Sequence, residues 1–83
     1  MRIAIRYFAA LREAAGGAGE TFDAPKGATV ADLQTLLAER RPSLASLLPR
    51  CAVAVNHAYA TGETPLHNGD ELAFLPPVGG GGD

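Results

Sequence analysis

The chain has 83 residues, of which 47% are apolar and 19% charged, with a net charge of −2. That is enough for one domain and leaves little for a second, and seven scattered basic residues do not make the footprint of a nucleic-acid binder. No apolar run approaches the ~18 residues of a membrane span, the lone Cys51 can form no internal disulfide and hold no iron–sulfur cluster, and no signal-peptide core follows Met1, so the cytoplasm is the expected compartment.

Residues 2–8 alternate, with Ile3, Ile5 and Tyr7 on one face and Arg2, Ala4 and Arg6 on the other, the pattern of a half-buried strand. Residues 9–15 are helix formers stopped by Gly16-Gly17, which predicts a helix of about two turns. Residues 20–24 read as a second strand, closed by the turn Pro25-Lys26-Gly27 and paired antiparallel with the first. The main helix starts after Thr29, a good N-cap, with Asp32 three residues later in a capping-box position. Val30, Leu33, Leu36 and Leu37 form its apolar stripe, Arg40-Arg41 suits its negative end, and Pro42 stops it. Residues 43–48 predict one further turn before Pro49. A third strand over 51–55, a turn at Asn56-His57, a short strand over 58–60, a loop, an Asn68-Gly69 turn and a last strand over 71–75 complete the order.

Two strands, a helix long enough to cross a sheet, and three more strands predict an α+β layer pair, a mixed sheet with one main helix packed across it, which is the β-grasp or ubiquitin-like arrangement. The first and last strands suit the sheet centre. The expected core is Ile3, Ile5, Tyr7, Phe22, Val30, Leu33, Leu37, Val53, Val55, Leu72 and Phe74. In the last strand Leu72 and Phe74 face the helix, and Ala73 and Leu75 face away. Leu75 with Pro76, Pro77 and Val78 makes an apolar strip at the end of the domain, and a strip of that kind marks a partner surface more often than a single exposed leucine does.

Beyond this strip the chain runs through Gly79, Gly80, Gly81 and Gly82 to Asp83. Pro76 and Pro77 lack an N–H and end sheet pairing, while consecutive glycines bury nothing and hold no fold. A domain over residues 1–78 and a flexible tail over 79–83 follow. The tail is either a frayed terminus or a thin probe that offers its carboxylate to a pocket on another protein, and the stiff Pro-Pro spacer favours the probe.

Tyr7-Phe8-Ala9 with Leu11-Arg12-Glu13, then Val53-Ala54-Val55-Asn56, Pro65-Leu66 with Gly69-Asp70-Glu71, and above all Phe74-Leu75-Pro76-Pro77-Val78 before glycines resemble the small subunits of molybdopterin synthase, a family of ubiquitin-like sulfur carriers. The resemblance covers essentially the whole chain. It implies a non-catalytic, sulfur-donating subunit in molybdenum cofactor biosynthesis. The terminal glycine carboxylate is activated as an acyl-adenylate by a ubiquitin-activating-like adenylyltransferase that uses ATP, then converted to a thiocarboxylate. Sulfur passes to cyclic pyranopterin monophosphate in a complex with the large synthase subunit, with two copies of each, and no cofactor is bound permanently.

By this resemblance Gly80 and Gly81 match the family's terminal pair and Gly81 bears the thiocarboxylate; Phe74, Leu75, Pro76, Pro77, Val78 and Gly79 face the partner. The family pattern ends at the second glycine, whereas Gly82 and Asp83 continue here, so removal of Gly82-Asp83, a copy that never carries sulfur, and an artefact stand as three explanations. A carrier for thiamine or cysteine synthesis, and a ubiquitin-like modifier or docking module that ends in an isopeptide bond, are the alternatives. His57 and His67 fit no zinc spacing and no metal is expected; Cys51 reads as a buried, inert thiol; Arg6 and Arg12 read as solvated, with a face toward the partner or the activating enzyme as the alternative; and Gly16-Gly17-Ala18-Gly19 lacks the Lys-Ser/Thr of a phosphate loop. No nucleophile, base and orienter can be assembled into a stand-alone enzyme.

Overall fold

A computed structural model of the chain describes residues 1–76. The chain order is β1 (Arg2–Tyr7), α1 (Ala9–Ala15), β2 (Gly19–Asp23), α2 (Val30–Arg40), two 3₁₀ turns (Pro42–Leu44 and Leu48–Arg50), β3 (Ala52–Val55), β4 (Ala58–Ala60) and β5 (Glu71–Leu75). The sheet order is β2-β1-β5-β3-β4. β1 and β5 run parallel, and the other three pairings are antiparallel. This is the β-grasp arrangement expected, with β5, the last strand, at the middle of five.

Local chemistry sets the element ends. Gly16 closes α1 at φ 81°, and its N–H donates to the Arg12 carbonyl, a glycine C-cap. The α2 capping box is complete: the Asp32 N–H donates to Thr29 Oγ1 at 3.3 Å and the Thr29 N–H to Asp32 Oδ2 at 3.0 Å. Asn56 and His57 both take left-handed backbone (φ 51° and 71°), the signature of the tight turn that joins β3 to β4.

Alternation along the strands sorts the side chains. Ile3, Ile5, Tyr7, Phe22, Val53, Leu72 and Phe74 meet Val30, Leu33 and Leu37 of α2 in one buried cluster. The cluster is larger than expected. Leu11, Leu44, Leu48 and Leu66 are also buried, because α1, the two 3₁₀ turns and the loop before β5 each turn one leucine under the helix layer. Val55 is only partly buried, since β3 hands over to the exposed β4 turn there. Pro49 does not stop the segment before it: it sits inside the second 3₁₀ turn, at a first-turn position where its missing N–H has no partner to lose. β2 begins at Gly19 and ends at Asp23, one residue earlier than the pattern suggested, and β3 begins at Ala52 with Cys51 just outside it.

One polar network ties the end of α2 to the sheet. The Tyr7 hydroxyl donates to Glu20 Oε2 at 2.5 Å, and Arg41 grips the same carboxylate through Nε at 3.0 Å and Nη2 at 2.6 Å. The Arg41 hydrogen bonds hold the Glu20 carboxyl below its ordinary range, and burial, then Glu20 itself, push the Tyr7 hydroxyl up. Glu20 has a lower pKa folded than unfolded. Its contribution to stability is therefore present above the unfolded carboxyl value of about 4.3 and is lost as pH falls through the lower folded value. Urea midpoints measured from neutral pH into that acid window should fall less steeply for Glu20→Gln than for the wild type; parallel curves would show that the network carries no such linkage.

Candidate docking face and tail base

The face of the sheet opposite α2 has no helix on it. In register across it run Arg6 of β1, Ala73 of β5, Ala54 of β3 and Tyr59 of β4. The two alanines leave a shallow floor where larger side chains would stand proud. Arg6, Phe8 and Leu75 wall it on one side and His57 and Tyr59 on the other, around a hollow of about 310 Å³ that also takes in Glu71. Tyr59 is 81% exposed, the large apolar side chain most open to solvent among the described residues. A trough with an alanine floor and aromatic walls has the shape to take an apolar side chain, a contact that would remove apolar surface on both sides from water.

Charged groups line one end of it. Nη1 of Arg6 donates to Glu71 Oε2 at 3.2 Å, Nε2 of His57 lies 3.0 Å from Glu71 Oε1, and the Arg6 guanidinium rests 5.6 Å from the centre of the Phe8 ring. Close by, Asn56 locks the β3–β4 turn onto the start of β5: its amide nitrogen donates to Asp70 Oδ1 at 2.9 Å, and its oxygen accepts the Glu71 N–H at 3.0 Å. That hydrogen bond from the Asn56 amide holds the Asp70 carboxyl below its ordinary range.

The expected partner-binding residues divide along β5. Leu75 opens onto the trough, and Pro76, the next residue, lines a second hollow of about 230 Å³ with Leu11, Leu47, Arg50 and Cys51. Phe74 is a correction: it has no exposed surface. In a strand, neighbours point to opposite faces, so Phe74 packs under α2 and serves docking only by fixing β5. Pro77, Val78, Gly79, Gly80 and Gly81, with the expected flexible tail, lie outside the described residues. Cys51 is less buried than expected: it is half-buried, burial pushes its pKa up, and its thiol donates to the Leu47 carbonyl at 3.3 Å. Arg6, solvated by its sequence pattern, belongs to the trough, while Arg12 is exposed on α1. Sequence reasoning does not pick out Phe8, Ala54, Tyr59 or Ala73. The usable signal is the pair of small residues at outward positions of two neighbouring strands. Among the described residues no cluster of His, Cys, Asp and Glu could hold a metal ion, and no helix is long and apolar enough to cross a membrane.

A β-grasp sheet with one bare face, whose central strand ends in Leu75-Pro76 at the rim of that face, defines a ubiquitin-like carrier or modifier. The ThiS family model matches residues 5–81, and the chain belongs to the ThiS family. A curated relative, the molybdopterin synthase sulfur carrier subunit of Chlamydomonas reinhardtii, is 37% identical over 83 residues, 98% of this chain and 100% of that protein. The crystal structure of SAMP1, small archaeal modifier protein 1, from Haloferax volcanii superposes with a TM-score of 0.87 at 31% identity, covering 96% of this chain and 99% of the other. A Helicobacter pylori chain solved in the complex of subunits 1 and 2 of molybdopterin-converting factor gives a TM-score of 0.72 at 26% identity, covering 94% and 96%.

Proposed function

We propose that this protein is the sulfur carrier of molybdopterin synthase, acting in the cytoplasm as the small, non-catalytic subunit beside the large subunit. The observation that carries this reading is the join between β5 and the tail. The central strand brings Leu75 to the rim of the bare face and continues directly into Pro76, so the chain that leads to the terminus departs from the edge of the docking surface. The family match, which runs to Gly81, supports the assignment of that glycine as the reactive terminus.

The chemistry needs little from the carrier. The Gly81 carboxylate attacks the α-phosphorus of ATP in the activating enzyme, releasing pyrophosphate and leaving an acyl-adenylate. Hydrosulfide then attacks the carbonyl carbon, the C–S bond forming as the bond to AMP breaks, and loss of the S–H proton leaves a thiocarboxylate. Once docked, the tail carries the thiocarboxylate into the active site of the large subunit, where sulfur passes to cyclic pyranopterin monophosphate. Two carriers are consumed per dithiolene, consistent with a complex of two copies of each subunit. Gly80 and Gly81 admit the chain to pockets that a Cβ would block, and the apolar face supplies the area that holds it there.

Intact-mass spectrometry of the protein from cells making molybdopterin tests this. The expected species lacks Gly82-Asp83 and shows the mass gain of one oxygen-to-sulfur exchange. A full-length, unmodified mass under those conditions overturns the reading. The similarity to an archaeal modifier protein favours one second reading, conjugation of the same terminus to lysine amines, and isopeptide adducts in the same extracts would support it. Carriers for thiamine or cysteine synthesis share the terminal chemistry and differ in the enzyme that receives the sulfur.

A further inference from the structure

The trough has a polarity that its alanine floor does not require. Its one carboxylate, Glu71, has a polar neighbour at each oxygen: Arg6 donates to Oε2 at 3.2 Å, and Nε2 of His57 lies 3.0 Å from Oε1. The donors of Arg6 are not used up. A guanidinium carries five N–H groups, yet Arg6 contacts Glu71 through one nitrogen, and its side chain is 54% exposed. Tyr59 stands on the opposite wall with its ring and hydroxyl open to solvent. The face thus flanks its one carboxylate with Arg6 and His57 and leaves Arg6 donors free around an apolar floor. It fits a partner surface that is apolar over Ala54 and Ala73 and carries acceptor oxygens beside Arg6.

His57 makes that arrangement workable. It holds a left-handed backbone conformation (φ 71°) that glycine adopts freely and most L-residues avoid. Held there, it keeps its ring nitrogen 3.0 Å from the second oxygen of Glu71. When docking excludes water, Arg6 can then turn part of its fork toward a partner without leaving Glu71 as an unpaired carboxylate in a dry interface, the arrangement that costs most.

We propose that Arg6 selects the partner of this face: the large synthase subunit sets an apolar side chain over Ala54 and Ala73 and places an Asp or Glu carboxylate on the free edge of the Arg6 guanidinium. This rests on the sulfur-carrier reading and specifies its docking chemistry. Arginine suits the role because its planar fork accepts one carboxylate on each edge, which a lysine ammonium does not.

The test is titration calorimetry of the full-length carrier with the large subunit from the same genome, at low and high salt. Arg6→Met keeps the apolar stem over Phe8 and removes the charge, so it should weaken binding about 30-fold or more and flatten the salt dependence. Arg6→Lys should fall between the two. Arg6→Glu should abolish binding, and an Asp or Glu→Arg change in the docking surface of the large subunit should restore it. Arg6 is exposed on the sheet face, and circular dichroism of each variant confirms the fold. Wild-type affinity and salt dependence in Arg6→Met would overturn the proposal while leaving the carrier reading intact. Absence of binding by the wild-type carrier would remove both. Self-association of the chain through Arg6, in competition with the large subunit, would assign the trough to a second copy and overturn the proposal as well.

Discussion

A chain terminated after Gly81 should form an acyl-adenylate with the activating enzyme at least about a hundredfold faster than the chain carried through Asp83. Two physical effects act together. Each additional residue moves the terminal carboxylate by about 3.3 Å along an extended chain, and a displacement of even 1 Å from an in-line geometry costs on the order of 10²-fold in rate. Asp83 also brings a side-chain carboxylate next to the reacting one, with a Cβ where the glycines have none. Pyrophosphate release in the presence of ATP is the measurement, with three chains compared: through Gly81, through Gly82, and through Asp83. The expected order is Gly81 first and Asp83 last. Equal rates for all three would mean that the activating enzyme does not read the position of the terminus, and the case for trimming would fall. If the Gly82 chain were the fastest, the reactive glycine would move by one residue and the docking argument would be unaffected.

Replacing Phe74 by alanine should have the largest effect on folding of any single change in β5. The ring is completely buried in the central strand, paired with Tyr7 on β1 and Val53 on β3 and covered by α2. Truncating a phenylalanine in such a place costs about 3–5 kcal/mol, and a chain of 83 residues has on the order of 4–12 kcal/mol in total. The thermal midpoint should drop by about 12 °C or more, with partial unfolding at physiological temperature. The adjacent residue should behave in the opposite way. Leu75 is half-buried on the bare face, so Leu75→Ala should cost about 1 kcal/mol or less in stability and weaken binding of the large subunit by about tenfold or more, as truncation of an interface anchor does. Urea denaturation and calorimetric titration of the two variants separate the outcomes. A Leu75→Ala variant that binds like the wild type would remove the rim of the trough from the interface.

These neighbouring residues illustrate how much of the site is legible in the sequence. Their opposite facing follows from the period of a strand, which by itself sets Leu75 outward and Phe74 inward. Placing Phe74 in a partner surface as well conflicts with that same alternation. The central position of β5 is likewise readable, because Leu72 and Phe74 flank an alanine in a segment too apolar for an edge. Arg6 is readable only as an open choice between a solvated and a partner-facing residue. An outward arginine on a first strand is ordinarily solvated, and only the register that sets it beside Ala73, and the turn that brings His57 to Glu71, give it a role. Tyr59 is hidden for the same reason: it lies on a three-residue strand whose pattern is too short to carry a direction.

The chain by itself determined what depends on neighbours a few residues away. Thr29 and Asp32 start α2, Gly16 ends α1, Asn56 and His57 turn the chain between β3 and β4, and alternation divides each strand into two faces. It also determined the character of the tail, since two prolines end the pairing and Gly79 to Gly82 put no side chain between Val78 and Asp83. Only the tertiary structure decided which leucines outside the strands and main helix join the core, because Leu11, Leu44, Leu48 and Leu66 are buried by elements distant in sequence. It alone also decided the docking face. That trough is assembled from four strands whose order, β1-β5-β3-β4, is not the order of the chain, and its shape and hydrogen bonds arise from contacts over tens of residues that no local pattern encodes.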